Sequence, residues 1–188
     1  RLPTMDQTRA MAQATLNDVS VAPSACLGIG VQQIAADVLN VARILTAADQ
    51  VGGAQAALDI SIDYVKERQQ FGRTIASYQA IKHKAADMMT KVEGARSLLY
   101  YAACIADEWR TGYADSATLA EAASMVSASA GEAYFFNAGT GIQLHGGVGI
   151  TEEYDIQLYF KRARATESYL GTPADHREHI ASLLLDGE

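Results

Sequence analysis

Two short clusters carry the residue types able to hold an anion. Arg68-Gln69-Gln70-Phe71-Gly72 sets a guanidinium, two amides and an aromatic ring beside a glycine. Gln143-Leu144-His145-Gly146-Gly147-Val148-Gly149 lies further along, beyond two long amphipathic stretches. Arg presents a rigid fork of donors suited to phosphate, and Lys66 and Lys82-His83-Lys84 add local positive charge. A glycine-rich backbone exposes N–H groups and admits a phosphate or ribose closely. Each cluster also has a plainer reading. Arg68 would offset a helix dipole at a C-terminus, and the glycines would make a turn between helices. His145 has no partner at useful spacing and reads as a packed or solvated imidazole. The second cluster is no dinucleotide fingerprint: GxGxxG is absent, and a helix precedes it rather than a strand.

Composition narrows the class. The chain has 188 residues, enough for one domain with a sizeable core. Almost half are apolar and only 3 are Pro, which favours a helical globular protein over a disordered one. A net charge of −7 argues against non-specific nucleic-acid binding. Cys26 and Cys104 stand far apart, without CxxC or Cys/His ligand spacing, so no metal site and no disulfide framework is expected. A reducing, cytoplasmic setting fits. The longest apolar run, Leu98 to Ala106, falls far short of the roughly 20 residues of a membrane span. The chain opens at Arg1, and an upstream segment is expected.

The elements that must position the clusters are helical. Residues 1–24 differ: Thr4 to Thr8 and Ala14 to Val21 read as short strands or extended chain ended by Pro23, too few to be stable alone. From Gly30 the period changes. Ile34, Val38, Val41 and Leu45 follow helical spacing, as do Ala56, Ile60 and Tyr64. Gly52-Gly53 interrupts this helix or permits a close approach, and the helix is expected to end at Phe71-Gly72, with Gly72 as a left-handed cap. A second helix runs from about Tyr78 to Trp109, with Ile81, Ala85, Met88, Val92, Ala95, Leu99, Ala102 and Ala106 on one stripe. A third begins at Asp115 or Ser116, is crowded with small residues, and is ended by Gly139, Gly141 and Gly146-Gly147. Two shorter helices follow, about Asp155 to Ser168 and then from Pro173, capped by Thr172. The fold class is mostly α: an antiparallel helical bundle preceded by a short β remnant.

Taken together and in this order, the clusters resemble the C-terminal helical domain of the acyl-CoA dehydrogenases. The resemblance runs through Ala54-Gln55-Ala56-Ala57-Leu58-Asp59, Tyr64 to Gly72, Tyr78-Gln79-Ala80-Ile81, Gln143 to Gly149 and Glu153-Tyr154, covering residues 30–188. It implies that residues 1–24 are the end of a middle β-domain and residues 25–188 a helical domain for FAD binding and oligomerisation. It implies FAD as cofactor and an acyl-CoA thioester as substrate. Arg68, Gln70, Phe71, Gln79, and Gln143, Leu144, His145, Gly146 and Gly147 would contact the pyrophosphate and adenine half of FAD, reaching into a neighbouring subunit. Gly171 and Thr172 would lie against this subunit's own flavin, and Arg43 and Tyr169 against the acyl-CoA. The family's Asp three residues before that Arg is Asn40 here.

One departure changes the functional reading. The family abstracts an α-proton with a Glu, most often in a Tyr-Glu-Gly-Thr segment, and that segment here is Tyr169-Leu170-Gly171-Thr172. Where other members carry the Glu on the first long helix, this chain has Ala42. Neither side chain accepts a proton. Two residues after Thr172, where the family has Gln or Glu, stands Ala174. The chain thus resembles the unequal subunit of actinobacterial heterotetrameric dehydrogenases acting on steroid side-chain CoA thioesters, a homologous partner supplying the base. Two alternatives stand beside this: a homo-oligomeric dehydrogenase with a relocated base, Glu167 being nearest, and a flavin-free helical interaction module.

Overall fold

The computed structural model describes residues 1–28 and 30–186. Five α-helices are formed among the described residues: α1 (Val31–Glu67), α2 (Gln79–Thr111), α3 (Ser116–His145), α4 (Ile156–Thr166) and α5 (Pro173–Leu185). The short strands β1 (Gln69–Gln70) and β2 (Arg73–Thr74) form an antiparallel hairpin between α1 and α2. The fold is the expected antiparallel bundle. Gln55 of α1 meets Arg96 of α2, and both Ala54 of α1 and Met88 of α2 meet Asn137 of α3. Consecutive long helices therefore alternate in direction, and α1 and α3 run parallel, in register from Asp37–Ser116 to Tyr64–His145. α4 and α5 descend along α3, with Gly139 beside Phe160 and Gly131 beside Pro173. No helix is long and apolar enough among the described residues to cross a membrane.

The period of α1 is as expected, but the buried face is a different one. Ile34, Val38 and Leu45 are 63%, 59% and 67% exposed. Asp37, Asn40, Ile44, Ala47, Val51, Ala54, Leu58, Ser61 and Val65 are buried instead. Several of these are polar, and each polar group is satisfied locally: Gln33 and Ser116 donate to the Asp37 carboxylate, and Ser61 donates to the Ala57 carbonyl. A hydrophobic stripe alone selects the wrong side because the inner face is made of small and hydrogen-bonded residues.

α1 also runs unbroken through Gly52-Gly53. The two glycines are not equivalent. A Cβ at Gly53 would lie 2.4 Å from Tyr134 Cζ, whereas one at Gly52 meets nothing within 4 Å. Gly53 is the place where the Tyr134 ring lies against the α1 backbone, so packing compensates the lost helix propensity. Gly139 and Gly141 likewise do not end α3. A Cβ at Gly141 would sit 2.7 Å from both Ile156 Cδ1 and Ser61 Oγ. α3 continues to His145, and Gly146 ends it.

Other boundaries follow the sequence. Asp115 caps α3 by accepting from the Thr118 amide at 2.8 Å, Gly112 closes α2 with φ +83°, and Thr172 and Asp175 form a capping box at α5. The end of α1 does not. α1 stops at Glu67, and Arg68 is extended. Phe71 and Gly72, with φ +53° and +78°, are the two central residues of the hairpin turn rather than a helix cap.

Residues 1–24 contain no strand. Leu2 and Met11 make a single bridge, because an extended segment without a neighbouring strand has no ladder to join. Ion pairs hold its first part on the bundle. The Asp6 carboxylate, 2% exposed, accepts from Thr8 and from Arg162 Nε of α4 at 2.5 Å. Arg9 pairs with Asp49 of α1 at 2.7 Å. Burial works to raise the Asp6 carboxyl; the Thr8 and Arg162 contacts outweigh it and hold it below the usual carboxylate range.

The two adjacent glycines give opposite expectations. Gly53→Ala forces a methyl into the Tyr134 ring and should destabilise the chain by about 1–3 kcal/mol. Gly52→Ala should stabilise it by about 0.5–1 kcal/mol through helix propensity. Urea unfolding of both variants checks this, and shifts of the same sign would refute the packing account.

Candidate functional site

The predicted site residues fall into two groups at different heights of the bundle. The first sits where α1 and α3 both end. Arg68 leaves α1 one turn after Tyr64, and Tyr64 donates from its hydroxyl to the His145 carbonyl at 3.3 Å. The hairpin therefore stands beside the Gly146–Ile150 turn. Its conformation is fixed from below: the Ile75 amide donates to the Arg68 carbonyl at 2.8 Å, and the Arg73 guanidinium lies 3.9 Å from the centre of the Tyr78 ring. The tip is left open. Phe71 is 93% exposed, and Arg68, Gln70 and Gln79 are exposed as well. Arg68 has no carboxylate partner among the described residues.

The glycine cluster divides between inside and outside. Gln143, Gly146 and Gly147 are exposed, while Leu144 and His145 are buried. The His145 ring stacks on Tyr64 with centroids 4.1 Å apart, and Tyr154 meets both rings edge-on. Its Nδ1 lies 2.7 Å from the Gly141 carbonyl, which requires a proton there. Burial lowers its pKa against the opposing effect of that bond. His145 is thus a packed, neutral ring that shapes the turn, and only backbone and Gln143 face outward. A Cβ at Gly146 or Gly147 would meet nothing within 4 Å, so the outer face of this turn is unfilled.

The second group lies roughly 38 Å lower along α1, taking about 1.5 Å per residue from Arg68 back to Arg43. Arg43 is committed within the chain. Its Nε donates to the Leu170 carbonyl at 3.0 Å and its Nη1 to Asn40 Oδ1 at 2.7 Å. Asn40 is buried and serves as the second anchor of that guanidinium. Leu170 has φ +58° and Gly171 φ +119°. A left-handed leucine is strained by roughly 1–2 kcal/mol, and the Arg43 contact is what holds its carbonyl in place. Tyr169 donates to Met11 Sδ at 3.3 Å. Glu167 pairs with Arg164. Ala42 lies on α1 beside Arg43 and Thr172 caps α5, so neither position adds an ionisable group. Ala174 borders an open groove between α3 and α5, lined also by Glu132, Arg164 and Arg177.

Sequence reasoning missed three contributors. Asn40 was noted only for the Asp it replaces, yet it orients Arg43. Gln50 donates from α1 to the Thr166 carbonyl at 3.0 Å, fixing the end of α4 below the Tyr169–Thr172 turn. His176 is 4% exposed, and a Cβ at Gly171 would lie 2.9 Å from its Nε2. The capping box at Thr172 was the available signal for His176, because it puts the first turn of α5 under the glycine.

Comparison with known proteins agrees with this architecture. The family described as acyl-CoA dehydrogenase, C-terminal domain, matches residues 28–185. The acyl-CoA dehydrogenase IpdE2 of Mycolicibacterium smegmatis is 42% identical over 180 residues, covering 95% of this chain and 50% of that protein. The structure of butyryl-CoA dehydrogenase from Megasphaera elsdenii superposes with a TM-score of 0.75 at 32% identity, over 84% of this chain and 39% of that one. A variant of the Tcur3481-Tcur3483 steroid ACAD gives a TM-score of 0.71 at 33% identity, over 79% and 39%. The chain spans about half the length of the curated relatives it matches.

If Leu170 is held left-handed only through its backbone, Leu170→Gly should raise stability by up to about 1 kcal/mol. Chemical denaturation measures this. A loss of more than about 1 kcal/mol would mean that the leucine side chain itself anchors the turn.

Proposed function

The chain belongs to the acyl-CoA dehydrogenase family, and we propose that it is a base-less subunit completing the FAD site of a homologous partner. The observation that supports this most strongly is the separation of its two residue groups. Arg68 and the Gly146-Gly147 turn lie roughly 38 Å along the bundle from Arg43 and the Tyr169–Thr172 segment. One flavin with its thioester would have to stretch that whole length to touch both. The upper group instead points outward, toward a second molecule.

The residues of the upper group suit FAD. Arg68 offers an unengaged guanidinium for a pyrophosphate. Phe71 offers a bare ring, with Gln70 and Gln79 as amide donors. Gln143, Gly146 and Gly147 offer open backbone. Leu144 and His145 serve from the inside by fixing the turn. Bound FAD supplies the hydride acceptor for α,β-dehydrogenation of an acyl-CoA thioester.

In the lower group this chain's own residues cannot finish that reaction. Leu170 and Ala42 hold no proton, and Glu167 is engaged by Arg164. Arg43, expected against the acyl-CoA, is taken up by Leu170 and Asn40. Tyr169 is turned to Met11, and Gly171 and Thr172 shape the start of α5 with no acid beyond them at Ala174. The base belongs to the partner in this reading. A partner is also suggested by the apolar side chains left outside: Ile34, Val38 and Leu45 on α1, and Met89, Tyr100 and Tyr101 on α2. The similarity to a steroid ACAD favours a steroid-derived acyl thioester as the substrate class.

The test is FAD affinity of the co-purified full-length complex. Arg68→Ala removes a charge-assisted contact of about 1.5–3 kcal/mol and should weaken FAD about ten- to hundredfold. Excess FAD should restore turnover. Gly147→Val, which has open space in this chain, should weaken FAD without unfolding it. Glu167→Gln should leave turnover nearly unchanged, whereas loss of a general base would cost roughly 10²–10⁴-fold. Unchanged affinity in both of the first two variants would overturn the cofactor assignment.

A further inference from the structure

Below the Tyr169–Thr172 turn lies a small, polar and nearly closed space that none of these roles uses. It is bounded by Arg43, Thr46 and Gln50 of α1, Ser127 of α3, Glu167, Tyr169 and Gly171 of the α4–α5 link, and His176 of α5. Its volume is about 10 Å³, the lower limit for one water molecule. His176 is 4% exposed, and its Nε2 has no hydrogen-bond partner among the described residues. The ring is fixed from behind. The His176 amide donates to the Thr172 carbonyl at 3.1 Å, inside a first turn held by the Thr172–Asp175 capping box.

The ring and the turn above it are mutually dependent. A Cβ at Gly171 would lie 2.9 Å from Nε2 and 3.0 Å from Cε1, so the turn rests directly on the imidazole edge. Only a residue without Cβ, at φ +119°, follows that path. Leu170 beside it is strained, and its carbonyl is held by Arg43. The turn therefore has little conformational energy in reserve. It persists while the space beneath it holds an uncharged ring and an oriented guanidinium.

We propose that His176 is a pH-sensitive latch for the Tyr169–Thr172 turn: neutral, it supports the Leu170–Gly171 path, and protonated, it releases it. Protonation of both ring nitrogens would put a second cation beside Arg43 in a space too small to hydrate it. The titratable and charged groups facing the ring are few. Arg43 comes from α1, Glu167 and Tyr169 from the α4–α5 link, and Asp175 and His179 from α5; α3 presents Ser127, which carries no charge. Burial, then Arg43, lowers the His176 pKa, while Asp175 works the other way and His179 adds to the lowering. Because the folded value lies below the ordinary one, the support is complete above about pH 6.5 and is lost as pH falls below it. The latch does not depend on the flavin assignment.

Hydrogen–deuterium exchange of the full-length protein in its purified assembly tests this. After correction for intrinsic rates, protection of amides 169–172 should fall about tenfold from about pH 7.5 to about pH 5.5. His176→Phe keeps a ring that cannot titrate and should abolish the pH dependence. His176→Gln keeps an acceptor and should do the same, serving where the Phe variant fails to fold. His145→Phe, which removes the other buried imidazole, should leave the pH dependence intact. A wild-type profile flat with pH would overturn the latch, as would a dependence that survives both His176 variants.

Discussion

The structure depends on how closely α1 and α3 approach each other. They run parallel, in register from Asp37–Ser116 to Tyr64–His145, and small residues such as Gly53, Ala54 and Gly141 admit side chains of the facing helix directly against the backbone. At its centre, Asn137 is wholly buried and donates both amide protons, to the Ala54 carbonyl of α1 at 3.1 Å and the Met88 carbonyl of α2 at 3.2 Å. One side chain thereby ties all three long helices. Both acceptors are helix carbonyls using a second lone pair, so the tie adds to the helices without breaking either. Its own Oδ1 has no partner among the described residues, a cost of about 1–3 kcal/mol that the two donated bonds and the surrounding packing must outweigh. Tyr134 against Gly53 and Ser61 against Gly141 close the same seam on either side of it.

A seam this continuous makes α1 a ruler. Arg43 stands on α1 and Arg68 directly follows its last residue, and their separation cannot relax to let a single ligand bridge them. Each of the two groups has a built structure of its own. At one end a hairpin with two left-handed residues projects Phe71 and Arg68 past the bundle. At the other, Arg43, Asn40, Gln50 and His176 are spent on the path of the Tyr169–Thr172 turn. The first arrangement reaches outward and the second is closed on itself, as expected of a subunit that lends parts to a neighbour's site while lacking a base of its own.

Helix existence and most caps were legible in the sequence, because periodicity, Asp115, Gly112 and the Thr172-Pro173 pair act locally. What failed were features decided by tertiary contact. The apolar stripe Ile34, Val38 and Leu45 marks a helix but lies on its outer face, since the inner face uses bonded polar groups such as Asp37 and Ser61. Gly139 and Gly141 read as breaks and are contact points under aromatic or aliphatic side chains, while of the two readings open at Gly52-Gly53, close approach holds at Gly53. Gly72 was correctly given a left-handed backbone, yet in the wrong element, because nothing local signals that Phe71 would also adopt positive φ. Residues 4–8 and 14–21 have strand-like composition without a partner to pair with. Among site residues, the outward set around Arg68 could be read from residue type, whereas the inward commitments of His145 and Arg43 and the part played by His176 required coordinates.

Native mass spectrometry of the purified full-length assembly decides between a paired and a self-sufficient subunit, because it counts both chains and flavins. This chain should appear together with a second, homologous chain, with one FAD for each pair. An assembly built from this chain alone, with one FAD per copy and turnover of an acyl-CoA, would contradict it.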